Sequence, residues 1–290
     1  LRRMQQERLT LRRALPLALL LPLAALALAA ADEPVLEQPV DPSVVEPEPI
    51  PDLPPPVVPL HLLDTHVLPG SRATLYWSGS QNFSGGGLDV PVMVVHGAQA
   101  GPVLCLTAGV HGDEINGVET VRQVVNRVQP EHLAGSVVGV PVVNLFGFQR
   151  GSRYLPDRRD LNRFFPGTRQ GSIASRIARS FFDSVVKHCD ALVDFHTGSF
   201  DRANLPQVRA DLRDADVVDF SRRFGATVVL HSPGSNGMLR VAATRAGIPA
   251  VTFEAGAPAR LEPDEIAASV AAVEVLMHNM GMRSLEGFGN

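Results

Sequence analysis

An α/β fold, three-layered with helices on both faces of a mostly parallel or mixed central sheet, is the class this sequence predicts, and three observations predict it. Short apolar runs of strand length, Val103 to Ala108, Val137 to Val143, Ala191 to Phe195 and Ala250 to Phe253, are separated by stretches long enough to be helices. The first two runs enclose a helical pattern from Ile115 to Val128, which makes a β-α-β unit. With 290 residues, 45% hydrophobic and 19% charged, the chain can bury one substantial core.

The elements follow in chain order. Arg2, Arg3, Arg8, Arg12 and Arg13 precede an apolar run from Ala14 to Ala31 that closes on small residues, so residues 1–31 read as an export signal. Pro16, Pro22 and the terminal alanines favour a removable signal over a membrane anchor, and the expected location is periplasmic or otherwise exported, with membrane contact only during export. Residues 32–59, rich in Pro, Glu and Val, read as an extended tether with little to build a core. Residues 60–290 form the expected folded domain. Its entry alternates in Leu60 to Val67, Ala73 to Trp77 and Val90 to Val95, a pattern for antiparallel strands. Helices are expected from Ile173 to Lys187 and from Glu262 to Met280.

Charge excludes one large class of partner. Removing residues 1–31 takes five arginines and one glutamate from the 26 basic and 30 acidic residues, leaving a formal charge of −8. A nucleic acid is therefore not an expected partner. Cys105 and Cys189 can bridge in an oxidising compartment, but each lies beside a predicted buried strand and reads as a free, small apolar residue.

In open α/β sheets, sites collect at the carboxyl ends of strands, where loops converge. His111 follows the run Val103 to Ala108, His196 follows Ala191 to Phe195, and Glu254 follows Ala250 to Phe253. His111 and Glu114, three residues apart at a strand-to-helix junction beside Gly109 and Gly112, supply an imidazole and a carboxylate; His196 supplies a second imidazole. Two imidazoles and a carboxylate suit one zinc ion with a position left for water. Asp113 is expected to orient an imidazole. Glu254, acidic at the end of an apolar strand, suits a general base that later acts as general acid. The loop from Arg153 to Gly167 is dense in guanidinium groups. There Asn162 and Arg163 can hold a carboxylate, while Arg153 or Arg159 can polarise a carbonyl.

Taken together and in order, Gly109-Val110-His111-Gly112-Asp113-Glu114, Arg153-Tyr154, Asp160-Leu161-Asn162-Arg163, Asp194-Phe195-His196 and the strand Ile248 to Glu254 resemble the succinylglutamate desuccinylase/aspartoacylase family of zinc carboxypeptidase-like hydrolases. The resemblance spans roughly Val92 to Met282. It implies zinc on His111, Glu114 and His196, Glu254 as base, a carboxylate on Asn162 and Arg163, and an oxyanion on Arg153.

The expected activity is zinc-dependent hydrolysis of an amide next to a carboxylate, with an acylated amino acid or short peptide as substrate. The Arg153 to Asn162 spacing is slightly longer than in the named deacylases, which keeps Arg159 in contention for the carbonyl. Family members commonly carry a further small β-rich domain, and nothing up to Asn290 replaces it, so a more open site is expected. Export adds a second reading, a periplasmic metallocarboxypeptidase or murein peptide amidase acting on peptidoglycan stem peptides. A third is a non-catalytic carboxylate-binding protein.

Overall fold

The structure, a computed structural model, describes residues 56–81 and 87–284. The expected signal segment and nearly all of the tether lie outside the described residues. The described chain opens with a hairpin of two short strands, β1 (Leu60–Leu62) and β2 (Thr65–Val67), where a single run of alternation was expected. Leu63 and Asp64 both take positive φ, 49° and 55°, which folds the run back through a two-residue turn.

An eight-stranded sheet follows, built from β3 (Ser71–Gln81), β4 (Gly87–His96), β5 (Gln99–Thr107), β6 (Ala134–Val140), β7 (Ala191–His196), β8 (Asn204–Ala210), β9 (Val228–His231) and β10 (Ala250–Gly256), in the spatial order β3-β4-β6-β5-β7-β10-β8-β9. The central strands β6, β5, β7 and β10 are parallel, whereas β3, β4 and β8 join antiparallel, so the sheet is mixed. Helices α1 (Ile115–Arg127), α2 (Leu145–Gln149), α3 (Ile173–Ser184), α4 (Ala215–Arg222), α5 (Leu239–Arg245) and α6 (Pro263–Asn279) complete the α/β/α layering. Among the described residues no helix is long and apolar enough to cross a membrane.

Alternation along each central strand divides the core. Leu104, Leu106, Val193, Val251 and Phe253 face α1, α4 and α6; Cys105, Val138, Leu192 and Ala250 face α3 and α5. This is the period-two consequence of a sheet covered on both sides, and it explains why the central runs read as continuously apolar. Caps set several helix starts: Ser172 accepts from Ser175 N at 3.2 Å, Asp214 accepts from Val217 N at 3.1 Å, and Pro263 opens α6.

Some boundaries differ from the pattern in the sequence. The strand expected over Val137 to Val143 runs instead over Ala134–Val140, because Pro141 has no N–H to give the ladder. The chain then bends under β5, where Val143 N donates to Ala108 O at 2.9 Å and Asn144 N to Gly109 O at 2.8 Å. The helix expected to reach Lys187 ends at Ser184 and continues as a 3-10 turn over Val186–His188.

The reading of two free cysteines is overturned. Cys105 and Cys189 form a disulfide with Cα atoms 5.7 Å apart. The parallel register Cys105 to Leu192 brings the start of β7 beside the middle of β5, and that proximity is invisible to local pattern. The bridge closes a separation of 84 residues. On the chain-entropy account a loop of that size stabilises the fold by about 4–5 kcal/mol. Reductant should therefore lower the urea unfolding midpoint of the wild type to that of a Cys105→Ala/Cys189→Ala variant. A midpoint indifferent to reductant would show that the thiols do not bridge in solution.

Candidate active site

The carboxyl ends of β5, β7 and β10 meet over one cleft. Beyond β5 the chain makes a sharp loop through Gly109, at φ 60°, a conformation that strains any residue with a Cβ. Gly112 sits against the Gly147–Phe148 backbone with no room for a side chain. This packing presents His111 and Glu114 from the loop entering α1. Glu114 occupies the N-cap position of α1, yet its side chain makes no capping hydrogen bond and turns into the cleft. The helix forgoes a contact of roughly 1 kcal/mol there. His196 ends β7, in register with Glu254 of β10.

His111, Glu114 and His196 are all buried and offer ligand atoms within 4.8 Å of one another. His111 Nδ1 lies 2.9 Å from Glu114 Oε1, His196 Nδ1 lies 2.7 Å from Glu114 Oε2, and the two Nδ1 atoms are 3.0 Å apart. The opposite ring nitrogens are also engaged. His111 Nε2 is 3.0 Å from Asp160 Oδ1, and His196 Nε2 is 2.8 Å from Asp194 Oδ2. Each ring is thus fixed at Nε2 by a carboxylate and presents Nδ1 to the shared point, where a metal ion would take the place of any proton on it. Two ring nitrogens and a carboxylate converging on one buried point demand positive charge there, from ring protons or from a bound cation. The donor set therefore fits a divalent metal ion bound by two nitrogens and one oxygen, and zinc takes such sets.

The titration directions carry the same demand. Burial pushes the Glu114 carboxyl up, but His111 and His196 outweigh it and hold the group far below the usual carboxylate range. Burial lowers the His196 imidazole, yet Asp194 and Glu114 carry it well above its ordinary value. For Asp160, burial is overcome by the His111 hydrogen bond and by Arg153 and Arg163, and its carboxyl is depressed.

Orientation of the imidazoles falls to Asp160 and Asp194, not to Asp113 as the sequence pattern suggests. Asp113 Oδ1 is buried with no hydrogen-bond partner among the described residues, and burial raises its carboxyl. What Asp113 contributes is its backbone carbonyl, which accepts from Ala259 N at 2.7 Å. Asp194 is itself fixed by Thr107 Oγ1, 2.8 Å from Oδ1. Asp160 caps the 3-10 turn Leu161–Arg163 through Asn162 N at 2.9 Å.

Among the remaining expected residues, Arg153 enters the cleft with Nη1 2.8 Å from Glu114 Oε1 and Nη2 3.2 Å from Asp160 Oδ2. Asn162 is buried; its Oδ1 accepts from Leu239 N at 2.8 Å, which turns Nδ2 toward His196. Arg163 lines the cleft half-exposed, donating to Asn162 O at 2.8 Å. Arg159 does not line it. That side chain pairs with Asp157 at 2.7 Å on the surface of the loop.

Glu254 lies inside β10 rather than beyond a strand ending at Phe253, because β8 pairs with its outer edge, Glu254 opposite Gln207. Its Oε2 accepts from Asn204 Nδ2 at 2.8 Å, and Arg209 Nε lies 3.5 Å from Oε1. Asn204, Arg209 and Arg202, together with Arg240 and Ser232, line the cleft without having been singled out from the sequence. They lie on or beside β8, β9 and α5, whose position next to β10 no local pattern discloses. A second lock holds the site together: Asn116 and Glu262 exchange hydrogen bonds of 2.9 Å, tying the loop after β10 to the first turn of α1.

With this geometry in view, the similarities to known proteins are specific. The succinylglutamate desuccinylase/aspartoacylase catalytic domain matches residues 100–280. The chain belongs to that family. It is 28% identical over 205 residues to an N-alpha-acetyl-L-2,4-diaminobutyric acid deacetylase of Halomonas elongata, covering 68% of this chain and 60% of the relative. The crystal structure of a succinylglutamate desuccinylase/aspartoacylase from Rhodobacter sphaeroides superposes with a TM-score of 0.65 at 28% identity, covering 73% of this chain and 66% of that one. The product-bound ectoine utilization protein EutE (DoeB) of Ruegeria pomeroyi gives 0.65 at 27% identity, with 74% and 68% covered. This chain thus spans less than two thirds of the length of the first two of these relatives.

Because Asp194 orients the His196 ring, Asp194→Asn should leave the fold intact and weaken metal affinity roughly 10–100-fold. Competition with a metallochromic chelator measures it. An unchanged affinity would remove Asp194 from the orienting role.

Proposed function

We propose that this protein is a zinc-dependent amidohydrolase that cleaves the amide of a small N-acylated amino acid carrying a free carboxylate. The observation that carries the reading is the convergence of His111 Nδ1, Glu114 and His196 Nδ1 on one buried point, with Glu254 in register beside His196. The cleft, of about 220 Å³, suits a small molecule, and family membership favours deacylation.

His111, Glu114 and His196 would hold the zinc ion, which would supply Lewis-acid polarisation of the scissile carbonyl and bring the pKa of water toward neutrality. Glu254 accepts a proton from the attacking water and returns it to the amine nitrogen as the C–N bond breaks, so that amide and water leave as carboxylate and amine. Asn204 fixes one Glu254 oxygen at 2.8 Å, and Arg209 Nε stands 3.5 Å from the other. Arg153, anchored by Glu114 and Asp160, donates to the carbonyl oxygen as negative charge develops there. Asn162 Nδ2 and the Arg163 guanidinium receive the substrate carboxylate; Leu239 N holds the Asn162 side chain in place for it.

The reading includes export. A Cys105–Cys189 disulfide belongs to an oxidising compartment, and the arginine-led apolar segment of residues 1–31 supports the same address.

Loss of the proton carrier in Glu254→Gln should lower kcat by roughly 10²–10⁴-fold. Zinc content, measured by mass spectrometry of the metal, should stay at the wild-type level. Full turnover of an N-acyl amino acid panel by the variant would sink the assignment.

A further inference from the structure

Two histidines outside the cleft stand as close together as the two inside it. His61 of β1 and His66 of β2 are cross-strand partners in the hairpin that opens the described chain. Their ring centroids lie 4.8 Å apart, with the ring planes tilted by 51°. The rings of His111 and His196, which converge on the candidate metal point, are also 4.8 Å apart and are tilted by 58°.

The hairpin sets this spacing from the backbone up. Leu63 and Asp64 make a two-residue turn with positive φ at both positions, and in such a turn the closing pair, here Leu62 and Thr65, is the hydrogen-bonded one. The next pair outward, His61 and His66, is then of the non-hydrogen-bonded kind, in which Cα atoms approach to about 4.5 Å and side chains come closest. On the opposite face Leu62 and Val67 are buried in the core, which fastens the hairpin while both histidines stay exposed. Neither imidazole has a hydrogen-bond partner among the described residues, so their nitrogens are free to take a ligand. Two free imidazoles on a fastened hairpin suit a late first-row divalent ion, with copper(II) the tightest binder of that series.

We propose that His61 and His66 form a metal site separate from the cleft, a two-nitrogen surface clamp for copper(II), nickel(II) or zinc with water at the remaining positions. Among the described residues only the cleft gathers three metal-type side chains, so the clamp is the weaker and more readily exchanged of the two. It follows directly on the Pro-rich stretch of residues 32–59, and an ion bound there staples β1 to β2 where that stretch meets the folded domain. The inference is independent of the amidohydrolase reading.

Calorimetric titration with zinc chloride, on protein already carrying one equivalent of zinc, measures the clamp. The wild type should take up one further ion with micromolar affinity. His61→Ala and His66→Ala should each weaken that uptake by at least about tenfold, because the surviving imidazole loses the effective concentration of its partner. Both positions are exposed, so neither change disturbs the core, and both variants should retain the first equivalent. Copper(II) added to the wild type should show nitrogen coupling from two imidazoles in electron paramagnetic resonance, and each variant should lose it. If the cleft takes no zinc, the clamp provides the first equivalent, and the same two variants still decide it. No uptake at the hairpin, or uptake unmoved in both variants, overturns the site and leaves two rings that only stack. Loss in one variant alone marks a single histidine and overturns the pair.

Discussion

Two imidazoles and a carboxylate aimed at one buried point constitute the constraint on which the rest of this protein depends. Glu114 stays ionised in the interior because His111, His196 and Arg153 surround it, and the imidazoles present Nδ1 because Asp160 and Asp194 hold their Nε2 edges. Three carboxylates and two imidazoles held this way make an electronegative nest that a divalent cation satisfies. None of the five can change charge without disturbing the others, and this coupling gives the site its chemical identity.

Much of the fold exists to hold those five groups in place. Parallel pairing of β5, β7 and β10 sets their carboxyl ends side by side, and the register of Glu254 with His196 places those two side chains beside each other. The disulfide from β5 to the start of β7 fastens the other end of the same pair of strands. Asn116 and Glu262 clamp the two loops that carry ligand and base. Even the helix entering from the ligand loop gives up its side-chain cap so that Glu114 can serve the cleft.

Around this electronegative nest the cleft is cationic, and the two halves have different work. On the proposed reading the acids and imidazoles serve the reacting bond, whereas the arginines face the entering substrate. Arg153 belongs to both because it neutralises Glu114 and Asp160 while facing the cleft. Arg240 and Arg209 line the same cleft, and Arg209 stands 3.5 Å from Glu254.

The sequence by itself determined the fold class and singled out His111, Glu114, His196 and Glu254, which the structure brings together, because each is written locally. Apolar runs mark the central strands, and a His-x-x-Glu beside glycines or a histidine at a strand exit needs no partner to be noticed. Asp160 and Asp194 were present in the same motifs, but their roles are pairwise distances and could not be read, so Asp113 took the orienting role that belongs to them. Only the tertiary structure decided that Cys105 and Cys189 bridge, that Arg153 and not Arg159 faces the cleft, and that β8 and α5 bring Arg209 and Arg240 to its wall. The physical reason is common to all of these. Side-chain chemistry and strand periodicity are properties of neighbouring residues, whereas strand order, register and the direction a loop arginine turns are set by burial and charge pairing between segments far apart in the chain.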